Sequence, residues 1–207
     1  MHIPDGFLSA KTFSVFYGIS IVAVGIALKN LKNNIEEKQV PLFGVVSAFI
    51  FAAQMLNFPV AGGTSGHFMG GVLAAILLGP FSGLVIMTTV LIIQCLVFQD
   101  GGITALGANV FNMGIIGAIG GYYIYNLLIK IFGRIASVFI ASWTSIIFAS
   151  AFCAFQLSIS GIVPFKVSLI AMASVHALIG IGEGIITVMV IGFLTKIRLD
   201  LLELKKI

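Results

Sequence analysis

From Leu42 to Gln99 the chain carries no formally charged residue. A water-soluble domain spends ~25% of its residues on charge, so a run of this kind needs a solvent other than water. It is also too long for one or two membrane crossings, each of which takes roughly 20 apolar residues. Two sets of helix breakers divide it: Asn57-Phe58-Pro59 through Gly62-Gly63, and Gly79-Pro80. Three helical segments follow, at about 42–57, 67–79 and 81–98. The middle one rises only ~18 Å at 1.5 Å per residue. It must therefore borrow length from the Gly-rich stretch before it or be a partial span with a non-helical outer end. Irregular backbone at membrane depth is tolerated only against protein or a polar cavity, so this segment marks a site.

The remainder of the 207 residues has the same character, with 59% hydrophobic and 9% charged residues and a mean hydropathy of +1.17. Further apolar runs occupy 12–28, 107–129, 135–160 and 167–195. The expectation is an all-α membrane protein of seven transmembrane helices, forming one membrane-embedded domain over residues 1–207. With the N-terminus outside and the C-terminus cytoplasmic, the inner side receives Lys29, Lys32, Lys38, Lys130, Arg134, Lys196, Arg198, Lys205 and Lys206, and the outer side only Lys11 and Lys166. That asymmetry follows the positive-inside rule. It also accounts for the net charge of +4 without nucleic acid, because the cations sit in short connections rather than among aromatics on a polar face. The opening residues carry an acid and no basic cluster, which argues against a cleaved signal peptide. Cys95 and Cys153 lie within apolar runs, as small buried hydrophobes do. Small residues spaced four apart, such as Gly44, Ala48 and Ala52, suit close helix packing within the bundle.

Topology directs all three histidines, His2, His67 and His176, toward the outer side. An unblocked terminus offers the Met1 amine, the His2 backbone nitrogen and the His2 imidazole in one short run. These can close adjacent five- and six-membered rings around a metal, and a nitrogen from His67 would complete a square. Planar nitrogen coordination suits Ni(II) or Cu(II) better than the tetrahedron of zinc. Binding must displace a proton from the amine, and so weakens in acid. Met1-His2 also fits a simple tail, but a Pro4-Asp5-Gly6 turn can fold the terminus back over the bundle. The stretch from Asn57 to His67 is rich in glycine and hydrogen-bonding residues; it can wrap a small ion or serve as an ordinary outer connection. Glu183 lies alone in mid-span, where a carboxylate costs ~2.5 kcal/mol or more. It shares nearly one helix face with His176. Either residue can orient a ligand or make a polar contact between helices, and Asn57, Asn109 and Asn112 can serve in the same way.

The opening MHIPDGFLS, NFPVAGGTSGHFMGG, GANVFNMG and HALIGIGEG together resemble the CbiM/NikM substrate-binding subunits of energy-coupling-factor transporters for cobalt and nickel, and the resemblance covers essentially the whole chain. It implies a seven-helix subunit of a bacterial or archaeal cell membrane that captures Ni(II) or Co(II) from outside as transported ligand, with no resident cofactor. Its implied partners are a membrane coupling subunit, a pair of ATP-binding cassette ATPases and often a small additional membrane subunit. By the same resemblance Met1, His2 and His67 are the metal ligands, with the N-terminal segment inserted into the bundle. The chain contains no GxxxxGK[ST] loop, so ATP hydrolysis is expected in a partner.

Two other readings bear on the same residues. A stand-alone secondary transporter or channel would use His176 and Glu183 as a proton relay and ignore the N-terminus. An intramembrane metalloprotease would need HExxH, which is absent.

Overall fold

The computed structural model describes residues 1–35, 37–60 and 64–197, without the side chains of residues 38, 57–60 and 64–66. Glu36, Gly62, Gly63, Arg198, Lys205 and Lys206 lie outside the described residues, as does the side chain of Asn57. Helix α1 spans Ala10–Asn34, with Ser9 as its cap: the Ser9 hydroxyl accepts the Thr12 N–H at 3.3 Å. After one 3₁₀ turn (Glu37–Gln39), α2 runs over Val40–Met55 with Pro41 in its first turn, where a missing N–H costs nothing.

The partial span read from the sequence has a non-helical outer end. Strands β1 (Asn57–Val60) and β2 (Thr64–His67) form an antiparallel hairpin in which Asn57 pairs with His67. Only then does α3 begin, Gly71–Leu78, after Gly70 at φ 81°. All eight α3 residues are buried, so this short helix is the axis of the bundle. A Cβ on Gly71 would lie 3.0 Å from the Ala118 nitrogen and the Met113 carbonyl oxygen, so any larger residue would have to push that backbone back by a few tenths of an ångström. Gly79 at φ 94° ends α3, and Pro80 opens α4 (Pro80–Phe98).

Helix α5 (Leu106–Val110), a π-helical segment (Phe111–Gly120) and α6 (Gly121–Ile159) run on as one stretch, interrupted at Gly133, whose φ of 70° and ψ of 178° are not helical. Helix α7 spans Phe165–Ile197 and packs along α6, where the Trp143 indole N–H donates to the Ala177 carbonyl at 3.0 Å.

Among the described residues, four stretches are long and apolar enough to cross a membrane: Ala10–Asn34, Pro80–Phe98, Leu106–Ile159 and Phe165–Ile197. Val40–Met55 is a shorter apolar helix. Length alone thus counts four where the sequence suggests seven. Two of the expected segments are short, and 107–129 and 135–160 belong to one hydrogen-bonded stretch bent at Gly133.

Polarity is inverted relative to a soluble protein. Val15, Ile21, Val22, Leu96, Val97, Ile170, Met189 and Phe193 are exposed, while Gln54, Gln94, Asn109, Asn112, Gln156 and Glu183 are buried. Lipid rewards that arrangement, since apolar faces need no water and polar groups find partners only inside.

Candidate metal centre

The N-terminal segment docks in the loop after α4. Ile3 is buried, and its N–H donates to the Asn109 Oδ1 at 2.9 Å while its carbonyl accepts from Asn109 Nδ2 at 3.1 Å and from the Gly102 N–H at 2.9 Å. Two residues on, the Asp5 carboxylate accepts the Ile103 N–H (3.1 Å), the Thr104 N–H (2.7 Å) and the Thr104 hydroxyl (2.6 Å). These bonds hold the Asp5 carboxyl below its ordinary pKa, Thr104 contributing most. A Cβ on Gly102 would fall 2.3 Å from the Asp5 nitrogen, so the terminus lies where only glycine leaves room.

Docking brings His2 beside His67. Their rings stack with centroids 5.1 Å apart and an interplanar angle of 27°. His2 Nε2 lies 3.1 Å from Gln94 Oε1, and His2 Nδ1 lies 3.3 Å from Asp100 Oδ1. His67 Nδ1 lies 2.8 Å from the Phe68 carbonyl, which can only accept, so Nδ1 carries the proton and Nε2 keeps its lone pair. Desolvation by burial lowers the Met1 amine from its ordinary value near 8.0. Burial, with the nearby amine charge second, brings His2 down to about 3. At neutral pH the His2 ring therefore offers lone pairs rather than protons, and the amine gives up its proton more readily than a free terminus does.

Behind the two rings, the His67–Gly70 segment is pinned from both sides. The Glu183 carboxyl oxygens accept the Met69 N–H at 2.6 Å and the Gly70 N–H at 2.9 Å, two donors at the start of α3 that have no partner within that helix. On the other side Gln54 Nε2 donates to the Met69 carbonyl at 2.6 Å, and Gln94 Nε2 donates to Gln54 Oε1 at 2.8 Å.

His176 stands apart from the stacked pair. Its Nδ1 donates to the Met172 carbonyl at 2.7 Å, and its ring borders a cavity of ≈ 70 Å³ shared with Met1, His67, Met69 and Met113. No hydrogen bond joins His176 to Glu183 among the described residues. Asn109 holds the N-terminal segment, whereas Asn112 makes a reciprocal amide pair with Gln156 (2.7 and 3.0 Å). Asn57 enters only through its backbone pairing with His67.

Sequence reasoning did not single out Gln54, Gln94, Asp100, Gly101 or Gly102. The sole signal was a pair of amides in otherwise apolar runs and a Gly-Gly dipeptide after Asp100. Among the described residues no three His, Cys, Asp or Glu side chains converge; the arrangement offers two imidazoles and the terminal amine.

Residues 2–201 match the family described as CbiM, cobalt uptake substrate-specific transmembrane region. A protein of Archaeoglobus fulgidus described as a putative fused nickel transport protein, NikMN, is 49% identical over 207 residues, covering 99% of this chain and 69% of that one. The cobalt transport protein CbiM of Thermosipho melanesiensis is 36% identical over 207 residues, covering 95% of this chain and 87% of its own. A crystal structure of a truncated transition metal transporter superposes with a TM-score of 0.88 at 34% identity, covering 95% of this chain and 99% of the other. With a match of this extent on an inside-out helical bundle, the chain belongs to the CbiM family of metal transport components and is a multi-pass membrane protein.

Proposed function

We propose that this chain is the metal-capturing subunit of an ATP-driven uptake transporter for Ni(II) or Co(II), binding the ion at the outer face through Met1, His2 and His67. The observation that carries the reading is the docking of residues 1–5 so that the His2 ring stacks on His67 beside a buried terminal amine. The Met1 amine, the His2 amide nitrogen and His2 Nδ1 close the two chelate rings, and His67 Nε2 supplies the fourth donor. Such a plane favours Ni(II) over Co(II). Among the described residues the His2 N–H has no hydrogen-bond partner, which leaves it free to give up its proton to the metal. His67 keeps its Nδ1 proton on the Phe68 carbonyl, an arrangement that orients an imidazole ligand.

The seven-span reading fits the same architecture. Helices α1, α2, α3 and α4, the two arms on either side of Gly133, and α7 make seven passes, α3 being completed by the hairpin before it. On this reading the N-terminus lies outside with the metal site and the C-terminus in the cytoplasm, with the whole chain as one membrane-embedded unit. The names of the relatives, nickel and cobalt transport proteins of archaea and bacteria, support the cargo and a cell-membrane location. Energy would come from partners: a membrane coupling subunit, a pair of ATPases and, in some assemblies, a small additional membrane subunit. Release requires the His67 segment and the terminus to part. A proton relay through Glu183 and His176 fits less well, because both Glu183 oxygens are held by backbone N–H groups.

The test is calorimetric titration with Ni(II) and with Co(II) of the purified chain carrying its native terminus, beside a version with one residue added ahead of Met1. Tight binding that collapses on extension places the metal on the terminal amine. Equal binding by both removes Met1 from the site and turns attention to His176 and Glu183.

A further inference from the structure

We propose that Gln54 and Gln94 form a directional hydrogen-bond relay that holds His2 as the Nε2–H tautomer, so that Nδ1 is the ring nitrogen presented to the metal. The proposal deepens the ligand reading above and rests on it.

Direction comes from one end of the relay. A backbone carbonyl can only accept, so at the Met69 oxygen Gln54 must present its Nε2, at 2.6 Å. The Gln54 Oε1 then faces Gln94, which must donate through its own Nε2, at 2.8 Å. Gln94 is thereby left with Oε1 toward His2 Nε2 at 3.1 Å, and the ring must place its proton there. Reversing any amide would set two acceptors or two donors face to face in a region where Gln54 and Gln94 are 2% and 0% exposed. Water cannot repair such a contact, and an unmet buried polar group costs its full desolvation.

A competing partner faces the other ring nitrogen. Asp100 Oδ1 is 3.3 Å from His2 Nδ1 and would favour the opposite tautomer. Its side chain, however, is 40% exposed, so water can satisfy it and the carboxylate can swing away. The Gln94 oxygen has neither option. The buried contact therefore decides the tautomer, and Nδ1 faces Asp100 with a lone pair that a cation, not a proton, resolves. Nδ1 is also the nitrogen that closes a six-membered ring with the His2 amide; Nε2 is too far round the imidazole to do so. Gln54 and Gln94 are thus positioning residues: they touch no metal but select the nitrogen that does. Because Gln54 comes from α2 and Gln94 from α4, while Met69 precedes α3, the relay also ties the tautomer of the terminal histidine to the seating of the segment that carries His67.

The experiment is solution NMR of the full chain in detergent with ¹⁵N-labelled histidine, correlating ring protons with ring nitrogens, without metal and with Ni(II), whose planar complex is diamagnetic. The expected result is an Nε2–H His2 in both states. In Gln94→Leu the metal-free ring should change to Nδ1–H, facing Asp100, and Ni(II) affinity should fall ~10–100-fold, the usual cost of losing a group that orients a metal ligand. Should Gln94→Leu not fold, Gln54→Leu, which frees Gln94 to turn over, should give a mixture of tautomers. An Nδ1–H His2 in the metal-free wild type overturns the proposal, as does a Gln94→Leu protein that loses affinity with its tautomer unchanged. An Nε2–H ring in a wild-type chain that binds no Ni(II) leaves the tautomer assignment standing and defeats the ligand reading instead.

Discussion

Replacing Gly102 by alanine isolates the docking of the N-terminus from every ligand. Gly102 is not among the glycines at positive φ, so alanine is compatible with its backbone and the effect is steric alone. The added carbon would sit 2.3 Å from the Asp5 nitrogen and 2.6 Å from both the Pro4 carbonyl carbon and Asp5 Oδ1. Two of those atoms are backbone and cannot rotate aside, so the terminus must lift by about 1 Å, enough to break hydrogen-bond geometry. The bonds at stake around buried Ile3 are Gly102 N–H to its carbonyl, Asn109 Nδ2 to the same carbonyl and the Ile3 N–H to Asn109 Oδ1. At ~1 kcal/mol each they amount to about 3 kcal/mol, or roughly a hundredfold in affinity, since the chelate needs Met1 and His2 in place. The assay is Ni(II) titration of the purified protein with a native terminus, beside Gly25→Ala, where nothing lies within 4 Å of the new carbon. Gly25→Ala should bind like the wild type. Should Gly102→Ala also bind within about threefold of the wild type, the argument that this glycine seats the terminus is wrong.

Glu183→Gln replaces one of two acceptors by a donor against the Met69 and Gly70 N–H groups, and should lower stability by about 1–3 kcal/mol, seen as a lower thermal midpoint in detergent; an unchanged midpoint would refute the capping role. Asn109→Leu removes both bonds to Ile3 and should weaken Ni(II) binding while leaving the melting curve nearly as it was, since the rest of the bundle is untouched; equal affinity would show that Asn109 does not hold the segment. Acid should act on the metal-free fold in a definite direction. The unfolded chain protonates the His2 imidazole near 6.5, whereas burial keeps it neutral to about 3, so the unfolded state binds more protons in that window and stability falls as pH drops from 6.5 toward 3; a midpoint independent of pH there would contradict the burial of that ring. With the His2 ring already neutral and burial loosening the proton of the amine, Ni(II) should displace the His2 amide proton and at most one more from the amine, so the logarithm of the binding constant should climb by about one to two per pH unit near neutrality, and a slope near zero or near three would exclude that donor set.

The charge-free run from Leu42 to Gln99 and its breakers at residues 57–63 and 79–80 were enough to announce a membrane bundle, a short central helix and an irregular segment ending at His67. Composition could do this because lipid permits so few solutions: every apolar run must be helical, and every break needs a reason. The proposed Met1-His2 chelate can be drawn from the sequence for the same kind of reason, since its geometry is covalent and local. What holds those residues together cannot. Gln54 and Gln94 lie on different helices and bond across 40 residues, and Gln94 meets His2 across 92, while Gly102 matters only because Asp5 comes to rest on it. An isolated amide in an apolar helix has no sequence pattern, for its partner is chosen by helix packing rather than by spacing along the chain. Glu183 shows the division clearly: its cost in lipid marked it as significant from the sequence, but only the placement of α7 against the start of α3 decided that it holds two backbone N–H groups beneath the His67 segment.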